Sequence, residues 1–348
     1  MPSHTLEPER AHARREYYGR IDQHNLSPLW TVLDRLVTPT PASPAVPALW
    51  RYEQMREALL EAGDLITATE AERRVLVLEN PALRGRSAIT QSLYAGLQLI
   101  LPGEVAAAHR HTQSALRLLL EGDAAYTAVD GERTTMRRGD FILTPPWTWH
   151  DHGNRGNEPA IWLDGLDVPL VRVLDASFSE RADVATQSPV RPEGDSLKRY
   201  GANMVPVDYQ PTGVTSSPVF VYPYERARES LLAIAHGEPD RHLGFKLRYV
   251  NPATGGSPMP TIGAYAQRLP EGFETRGYRC TDGTVYVCLE GSGHAQINGT
   301  AHKFGPNDVF VVPSWNELRL HATRDTTLFS FSDRPVHQAL GLWREARE

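Results

Sequence analysis

The chain repeats itself, and this constrains its fold more than any other feature. Leu120-Glu121-Gly122 recurs as Leu289-Glu290-Gly291, 169 residues later. At the same offset Gln98 matches Gln267, Gly103 matches Gly272, and His109-Arg110-His111 falls on Tyr278-Arg279-Cys280. With one residue deleted, Asp130-Gly131 falls on Asn298-Gly299, and Gly139-Asp140-Phe141 on Asn307-Asp308-Val309. Thr144-Pro145 and Trp147 then fall on Val312-Pro313 and Trp315. Self-similarity of this kind means one structural plan used twice. Within the first copy lie short apolar runs: Val75–Leu78, Leu97–Leu101, Arg117–Leu120, Tyr126–Val129 and Phe141–Thr144. Gly, Pro or Asp punctuate them, which predicts the strands of an all-β sandwich or barrel.

The rest of the chain divides around these two units. Residues 1–72 read as a helical region, with helices over Arg10–Asp22, Leu29–Leu36 and Tyr52–Ala62. Residues 73–170 form the first β unit and 245–335 the second. Between them, 171–244 is a connector, rich in Pro, Ser and Gly over 186–223, with one helix over Tyr224–His236; 336–348 is a tail. Apolar residues are 41% and charged residues 22%, which excludes a disordered chain or a coiled coil. No apolar run approaches the roughly 18 residues of a membrane span. Met1–Arg15 is polar and charged, without the apolar core of a signal peptide, so a cytoplasmic protein with no membrane partner is expected. The net charge is −6 and no basic stripe appears, so nucleic acid is not an expected partner. Cys280 and Cys288 make neither a disulfide framework nor a four-ligand zinc site.

The chemistry concentrates in the first unit. His109-x-His111 lies in a segment that reads as extended, where side chains two apart share a face, about 7 Å apart along the strand. His150 follows 39 residues later, after Pro145-Pro146-Trp147-Thr148-Trp149. In a barrel, a strand at that distance returns beside the first and supplies a third imidazole. Three neutral imidazoles suit Fe, Zn, Cu or Ni better than Mg or Ca. His152 also lies two residues from His150 and can share its face.

Gly103-x5-His109-x-His111-x3-Ala115-x6-Gly122 resembles the first cupin motif except at one position, Ala115. Gly139-x5-Pro145-x-Trp147-x2-His150-x3-Asn154 resembles the second, with Trp147 where a glycine is usual. The second unit keeps the skeleton but carries Tyr278, Cys280 and Leu318 at the ligand positions, so it resembles a cupin without a metal. The resemblance implies a bicupin: an all-β-dominated chain of two jelly-roll barrels with N-terminal helices. Most metal cupins place a Glu or Gln at the position of Ala115. Alanine leaves open coordination positions, as substrate and O2 require. If the strand continues, Gln113, Ala115 and Arg117 share the face of His109 and His111, while Leu116, Leu118 and Leu120 cover the other. A buried guanidinium needs an anion. Either a substrate carboxylate or an acid from another element can fill that place.

Further strings narrow the family. His109-Arg-His-Thr-Gln-Ser-Ala-Leu-Arg117, Tyr94-Ala-Gly-Leu-Gln-Leu-Ile-Leu-Pro-Gly-Glu104, Trp147-Thr-Trp-His-Asp-His-Gly153 and Ile161-Trp-Leu-Asp-Gly-Leu166 closely resemble the gentisate 1,2-dioxygenases. The likeness is dense over 73–170 and looser over 245–335. It implies an oxidoreductase that holds Fe(II) at His109, His111 and His150. Such an enzyme opens the ring of a small aromatic hydroxy acid with both atoms of O2, converting gentisate to maleylpyruvate. It further implies that Arg117 orients the substrate carboxylate and that His152 relays a proton or hydrogen-bonds the hydroxyl. Gln98 and Asp164 would set these groups, Arg73 or Arg74 would add positive charge, and Tyr94, Trp147 and Trp149 would form an aromatic wall. Family members form homo-oligomers, often tetramers. Salicylate and 1-hydroxy-2-naphthoate are the alternative substrates within the family. A non-oxidative metal cupin, such as an isomerase, and a non-enzymatic ligand-binding bicupin are the alternatives outside it.

Overall fold

The computed structural model describes residues 8–209 and 215–348. Residues 1–7 of the helical region and 210–214 of the connector lie outside the described residues. The chain divides into an N-terminal unit, up to Ala42, and a larger unit from Ser43 to Glu348. The N-terminal unit contains the helix Pro8–Asp22. The helix expected over Leu29–Leu36 is split into a 3-10 turn, Leu29–Thr31, and a short helix, Leu33–Leu36. The break falls at β-branched Val32, a residue that favours helix poorly.

The described residues of the larger unit form four antiparallel sheets, two of six strands and two of five. In the first barrel the six-stranded sheet contains Tyr94–Ile100, Ala115–Glu121, Phe141–Thr144 and Ala160–Leu166. Its facing five-stranded sheet contains Val105–His111, Ala125–Val129 and His150–Asn154. The second barrel repeats this with Gly263–Leu269, Thr284–Glu290, Val309–Val312 and Thr326–Ser332, facing Tyr278–Cys280, Gly293–Ile297 and Leu318–Ala322.

Strand alternation explains where the core lies. Leu97, Leu99, Leu116, Leu118, Leu120, Phe141, Leu143, Ile161 and Leu163 point out of the first barrel and meet Val285, Val287, Val309, Val311, Phe329 and Phe331 of the second. This apolar layer joins the two large sheets. The alternate positions, including Tyr94, Gln98, Ala115, Arg117, Thr144 and Asp164, point into the first barrel. The far end of that interior is apolar, with Ile100, Leu119, Ile142 and Trp162. The polar end carries the histidines.

The two halves also exchange arms. Ala48–Trp50, ahead of the first barrel, pairs with Val309–Val312 of the second. Val221–Tyr222, ahead of the second, pairs with Phe141–Thr144 of the first. Each arm leads into a helix whose first N–H is taken by the opposite barrel. Tyr52 N of helix Tyr52–Leu65 donates to Asp308 Oδ1 (2.8 Å), and Tyr224 N of helix Tyr224–Ile234 donates to Asp140 Oδ1 (2.9 Å). Each helix is then tied to its own barrel at the repeated Leu-Glu-Gly. Tyr52 and Arg56 bond Glu121, and Arg228 bonds Glu290. The repeat therefore begins earlier than its apolar runs suggest, at Tyr52-x3-Arg56 and Tyr224-x3-Arg228. Asp308→Ala is expected to destabilise the chain by about 1–2 kcal/mol, the usual loss on removing a helix cap. Urea unfolding of the variant measures it.

The left-handed backbone positions follow the repeat as well. Gly139 (φ +82°) is matched by Asn307 (φ +64°), the residue that tolerates this region best after glycine. Trp147 (φ +59°) is matched by Trp315 (φ +63°). A glycine is usual there because the turn is left-handed; this chain carries tryptophan at the strained place in both halves.

The connector is more structured than its composition predicts. Among its described residues it carries two helices beyond the expected one, Val168–Val173 at its start and Asp195–Tyr200, and the strand Ser179–Arg181, which pairs with the His109–His111 segment. The tail is also not free, since Glu345–Arg347 pairs with Tyr278–Cys280. Among the described residues no helix is long and apolar enough to cross a membrane.

Candidate metal centre

His109 and His111 end one strand and His150 begins its antiparallel neighbour, with His109 directly opposite His150. The three imidazoles offer ligand atoms within 4.8 Å of one another. Their ring centres lie 5.3, 4.2 and 4.8 Å apart. The backbone sets which nitrogen faces inward. His111 Nδ1 lies 3.0 Å from the Gln113 carbonyl, His150 Nδ1 lies 2.9 Å from the Thr148 carbonyl, and His109 Nδ1 lies 3.3 Å from the Ala107 carbonyl. A proton on Nδ1 of His111 and of His150 satisfies their carbonyls and leaves each of these Nε2 lone pairs for a ligand. His150 Nε2 is buried and has no hydrogen-bond partner, an orphan atom that a metal ion would satisfy. The donor set therefore fits a borderline transition-metal ion.

Electrostatics keep the imidazoles neutral, as ligands must be. Burial comes first, and the charges of Arg73 and Arg117 add to it. His109 is pushed down to about 3 and His111 to about 4, and His150 also lies well below its usual range. The unfolded chain titrates these groups near 6.5. As pH falls below that value, the unfolded state takes up protons that the folded state does not, so stability falls. Between pH 6.5 and 5.5 the metal-free protein is expected to lose about 1 kcal/mol for each such histidine. Urea unfolding at pH 6.5 and 5.5 checks this, and the loss shrinks in His109→Asn.

Arg73 and Arg74 separate cleanly. Arg74 pairs with Glu104 (2.8 Å) and turns away. Arg73 Nη2 lies 2.5 Å from His109 Nδ1 and 2.6 Å from the Ala107 carbonyl. An arginine only donates, so it competes with the Nδ1 proton of a metal-bound His109. Arg73 and His109 both line an open cavity of ≈ 540 Å³, with Glu72 and Arg181 also on its wall. The Glu72–Arg181 ion pair is 2.7 Å long.

The anion beside Arg117 is an acid from another element. The strand does not continue from His111: it breaks at Thr112–Ser114, and Ala115–Glu121 joins the other sheet. Asp164 lies opposite Arg117 in register, with Oδ1 3.4 Å from Arg117 Nε. Arg117 Nη1 donates to Thr144 Oγ1 (2.7 Å). Trp162, fully buried, donates its indole N–H to Asp164 Oδ1 (3.1 Å). Burial outweighs the pairing at both ends. Asp164 is raised to about 6 and Arg117 is lowered to about 10. Nη2 of Arg117 remains for a further acceptor.

His152 lies beside the cluster, its ring 5.5 Å from that of His150. Its Nδ1 is 3.0 Å from Thr127 Oγ1, the residue opposite it in the sheet. Burial and the Arg117 charge hold it neutral. Gln98 is buried with an unpartnered Nε2. Tyr94 lies on the same inner face, and its hydroxyl is held protonated by burial and by Asp164. Trp147 stands elsewhere than on an aromatic wall. Its ring packs on Phe178 (4.4 Å) and on the Arg110 guanidinium (4.5 Å), which also covers Trp149 (4.7 Å). Arg110 alternates with the two histidines, so this stack belongs to the opposite face of their strand. Thr127, Thr144 and Trp162 complete the site beyond the residues the motifs point to. A Trp two residues before an acid on a buried strand is a usable signal for Trp162; the threonines emerge only from the strand pairing.

Comparisons with known proteins agree with this architecture. A family model described as Cupin domain matches residues 96–167. The chain is 53% identical over 346 residues to gentisate 1,2 dioxygenase 1 of Aquipseudomonas alcaligenes, covering 99% of each. It is 34% identical to the 1-hydroxy-2-naphthoate 1,2-dioxygenase of Nocardioides sp. (strain KP7), covering 99% of this chain and 91% of that one. The crystal structure of salicylate 1,2-dioxygenase from Pseudoaminobacter salicylatoxidans, an adduct with gentisate, superposes with a TM-score of 0.91 at 34% identity, over 100% of this chain and 96% of that one. With its two cupin barrels and three-histidine cluster, the chain belongs to the gentisate 1,2-dioxygenase family of ring-cleaving oxidoreductases.

Proposed function

We propose that the protein is an Fe(II)-dependent dioxygenase that converts gentisate and O2 to maleylpyruvate. The observation that carries the proposal is the convergence of His109, His111 and His150 in one barrel with a braced arginine, Arg117. The identity to a gentisate dioxygenase, higher than that to a hydroxynaphthoate dioxygenase, supports gentisate over the fused-ring acid. Bound at the three imidazoles, Fe(II) supplies a path for electron density from an electron-rich ring to O2. Both oxygen atoms enter the product, so no external electron donor is needed.

The chain's own residues bind and orient. Arg117 offers Nη2 to the substrate carboxylate, while Asp164 and Thr144 fix its plane. His152 faces the substrate hydroxyl through Nε2, since Nδ1 is taken by Thr127, and it holds or accepts the hydroxyl proton there. Gln98 contributes an amide donor and Tyr94 a phenol that stays protonated. Arg73 adds positive charge on the cavity side of His109. Holding acid and O2 together makes the reaction effectively unimolecular. The family resemblance supports a homotetramer, which sedimentation velocity reads directly. Steady-state assays with gentisate, salicylate and 1-hydroxy-2-naphthoate test the substrate. The highest kcat/KM is expected for gentisate, and a preference for either other acid overturns the assignment.

A further inference from the structure

The second barrel keeps a cavity where the first carries its imidazoles. Tyr278, Cys280 and Leu318, the counterparts of the three histidines, line it. So do Lys246, Tyr286 and Arg334. Tyr286 stands at the repeat position of Arg117. Lys246 lies opposite Gln267, as Val75 lies opposite Gln98 in the first barrel. The second barrel has thus exchanged an apolar side chain for an ammonium aimed into its vacated centre.

Among the described residues that ammonium is paired with no carboxylate. Lys246 Nζ sits 5.0 Å from the ring centre of Tyr265 and 5.3 Å from that of Tyr286. Among the described residues it makes no hydrogen bond and no ion pair. The acid of the cavity, Asp282, is already engaged: its Oδ1 accepts from Arg334 Nε (3.2 Å) and Trp343 Nε1 (2.8 Å). Burial pushes the Cys280 thiol up, so it stays neutral. The Tyr278 hydroxyl donates to Glu345 (2.9 Å) and accepts from Arg334 (3.2 Å). Arg279, also on the wall, is paired with Glu317 and Glu348, so Lys246 and Arg334 share Asp282 and one positive charge is left over. Aromatic faces offset only part of the cost of burying a charge.

We propose that the vacated centre of the second barrel binds one small monovalent anion, of the size of a halide or formate, at the Lys246 ammonium. The cavity is far smaller than an aromatic ring needs, which excludes an aromatic acid. The two barrels then use equivalent places for opposite charges: neutral imidazoles take a cation, and a buried ammonium takes an anion.

Crystals of the iron-loaded enzyme soaked in bromide test this by anomalous scattering. A bromide peak beside Lys246 Nζ is expected. A map whose bromide peaks lie only on the outer surface overturns the proposal. Thermal melting adds a second reading. Replacing gluconate, which is too large to enter, by bromide or formate at constant ionic strength is expected to raise Tm by a few degrees. Lys246→Met is expected to lose that shift while keeping its iron. An equal shift in the variant overturns the site. If the variant fails to fold, the bromide map of the unaltered enzyme decides alone.

Discussion

His150→Ala is expected to lose its metal and its ring-cleaving activity together. His150 is fully buried, and its Nε2 has no other partner to serve. Removing a mere hydrogen-bond partner of a ligand costs about 10–100-fold in metal affinity. Removing one of three ligands exceeds that, so iron is lost on desalting and turnover falls to background. The fold survives, because the substitution removes a neutral side chain that burial already disfavours in its charged form. Iron analysis, oxygen uptake and far-ultraviolet circular dichroism on the same sample separate these effects. A variant that keeps one iron per chain and still opens the ring contradicts the assignment of the three histidines.

Arg117→Met is the second large effect. The guanidinium is buried, and its charge is balanced by Asp164 with help from Thr144. Losing the charge-assisted bonds from this guanidinium to a substrate carboxylate costs about 2–5 kcal/mol of binding in the transition state. In kcat/KM for a carboxylate substrate this is roughly 30-fold to a few thousand-fold. The substitution also leaves Asp164 alone, a separate cost in stability. Burial already raises its pKa to about 6, and losing Arg117 raises it further, so the carboxyl takes a proton instead of unfolding the barrel. Adding Asp164→Asn to Arg117→Met should therefore recover stability and recover no activity. Arg117→Lys should not rescue the enzyme, since an ammonium lacks the planar fork that spans Thr144, Asp164 and a substrate. Loss of iron in Arg117→Met would mark the arginine as a support of the metal centre and not as a substrate ligand.

The sequence carries some of this site plainly and hides the rest for physical reasons. The three histidines stand at fixed distances from glycines that adopt left-handed turns, and those turns recur in the second barrel at Gly272, Gly291 and Asn307. Local geometry of that kind is written in residue order. Asp164 as the partner of Arg117 is not, because the pair depends on the register of two strands distant in the chain. Likewise, nothing local to Thr127 announces His152 opposite it. The exchanged arms Ala48–Trp50 and Val221–Tyr222 are too short to show a period of two. What reveals them is Asp308 and Asp140, each reaching across to the helix that follows the opposite arm. Trp147 illustrates the opposite error. Its place in the motif suggests a pocket wall, but its left-handed backbone sends the ring onto Arg110 and Phe178.

The proposed reaction is the cleavage of gentisate by O2 with iron held at His109, His111 and His150. Oxygen uptake by metal-free protein, before and after anaerobic reconstitution with Fe(II), tests it most directly, with gentisate as substrate and the product followed by absorbance. One O2 consumed per gentisate, only after iron is added and absent in His150→Ala, is the predicted result. Full iron occupancy without uptake, or uptake unchanged in the metal-free protein, would contradict it.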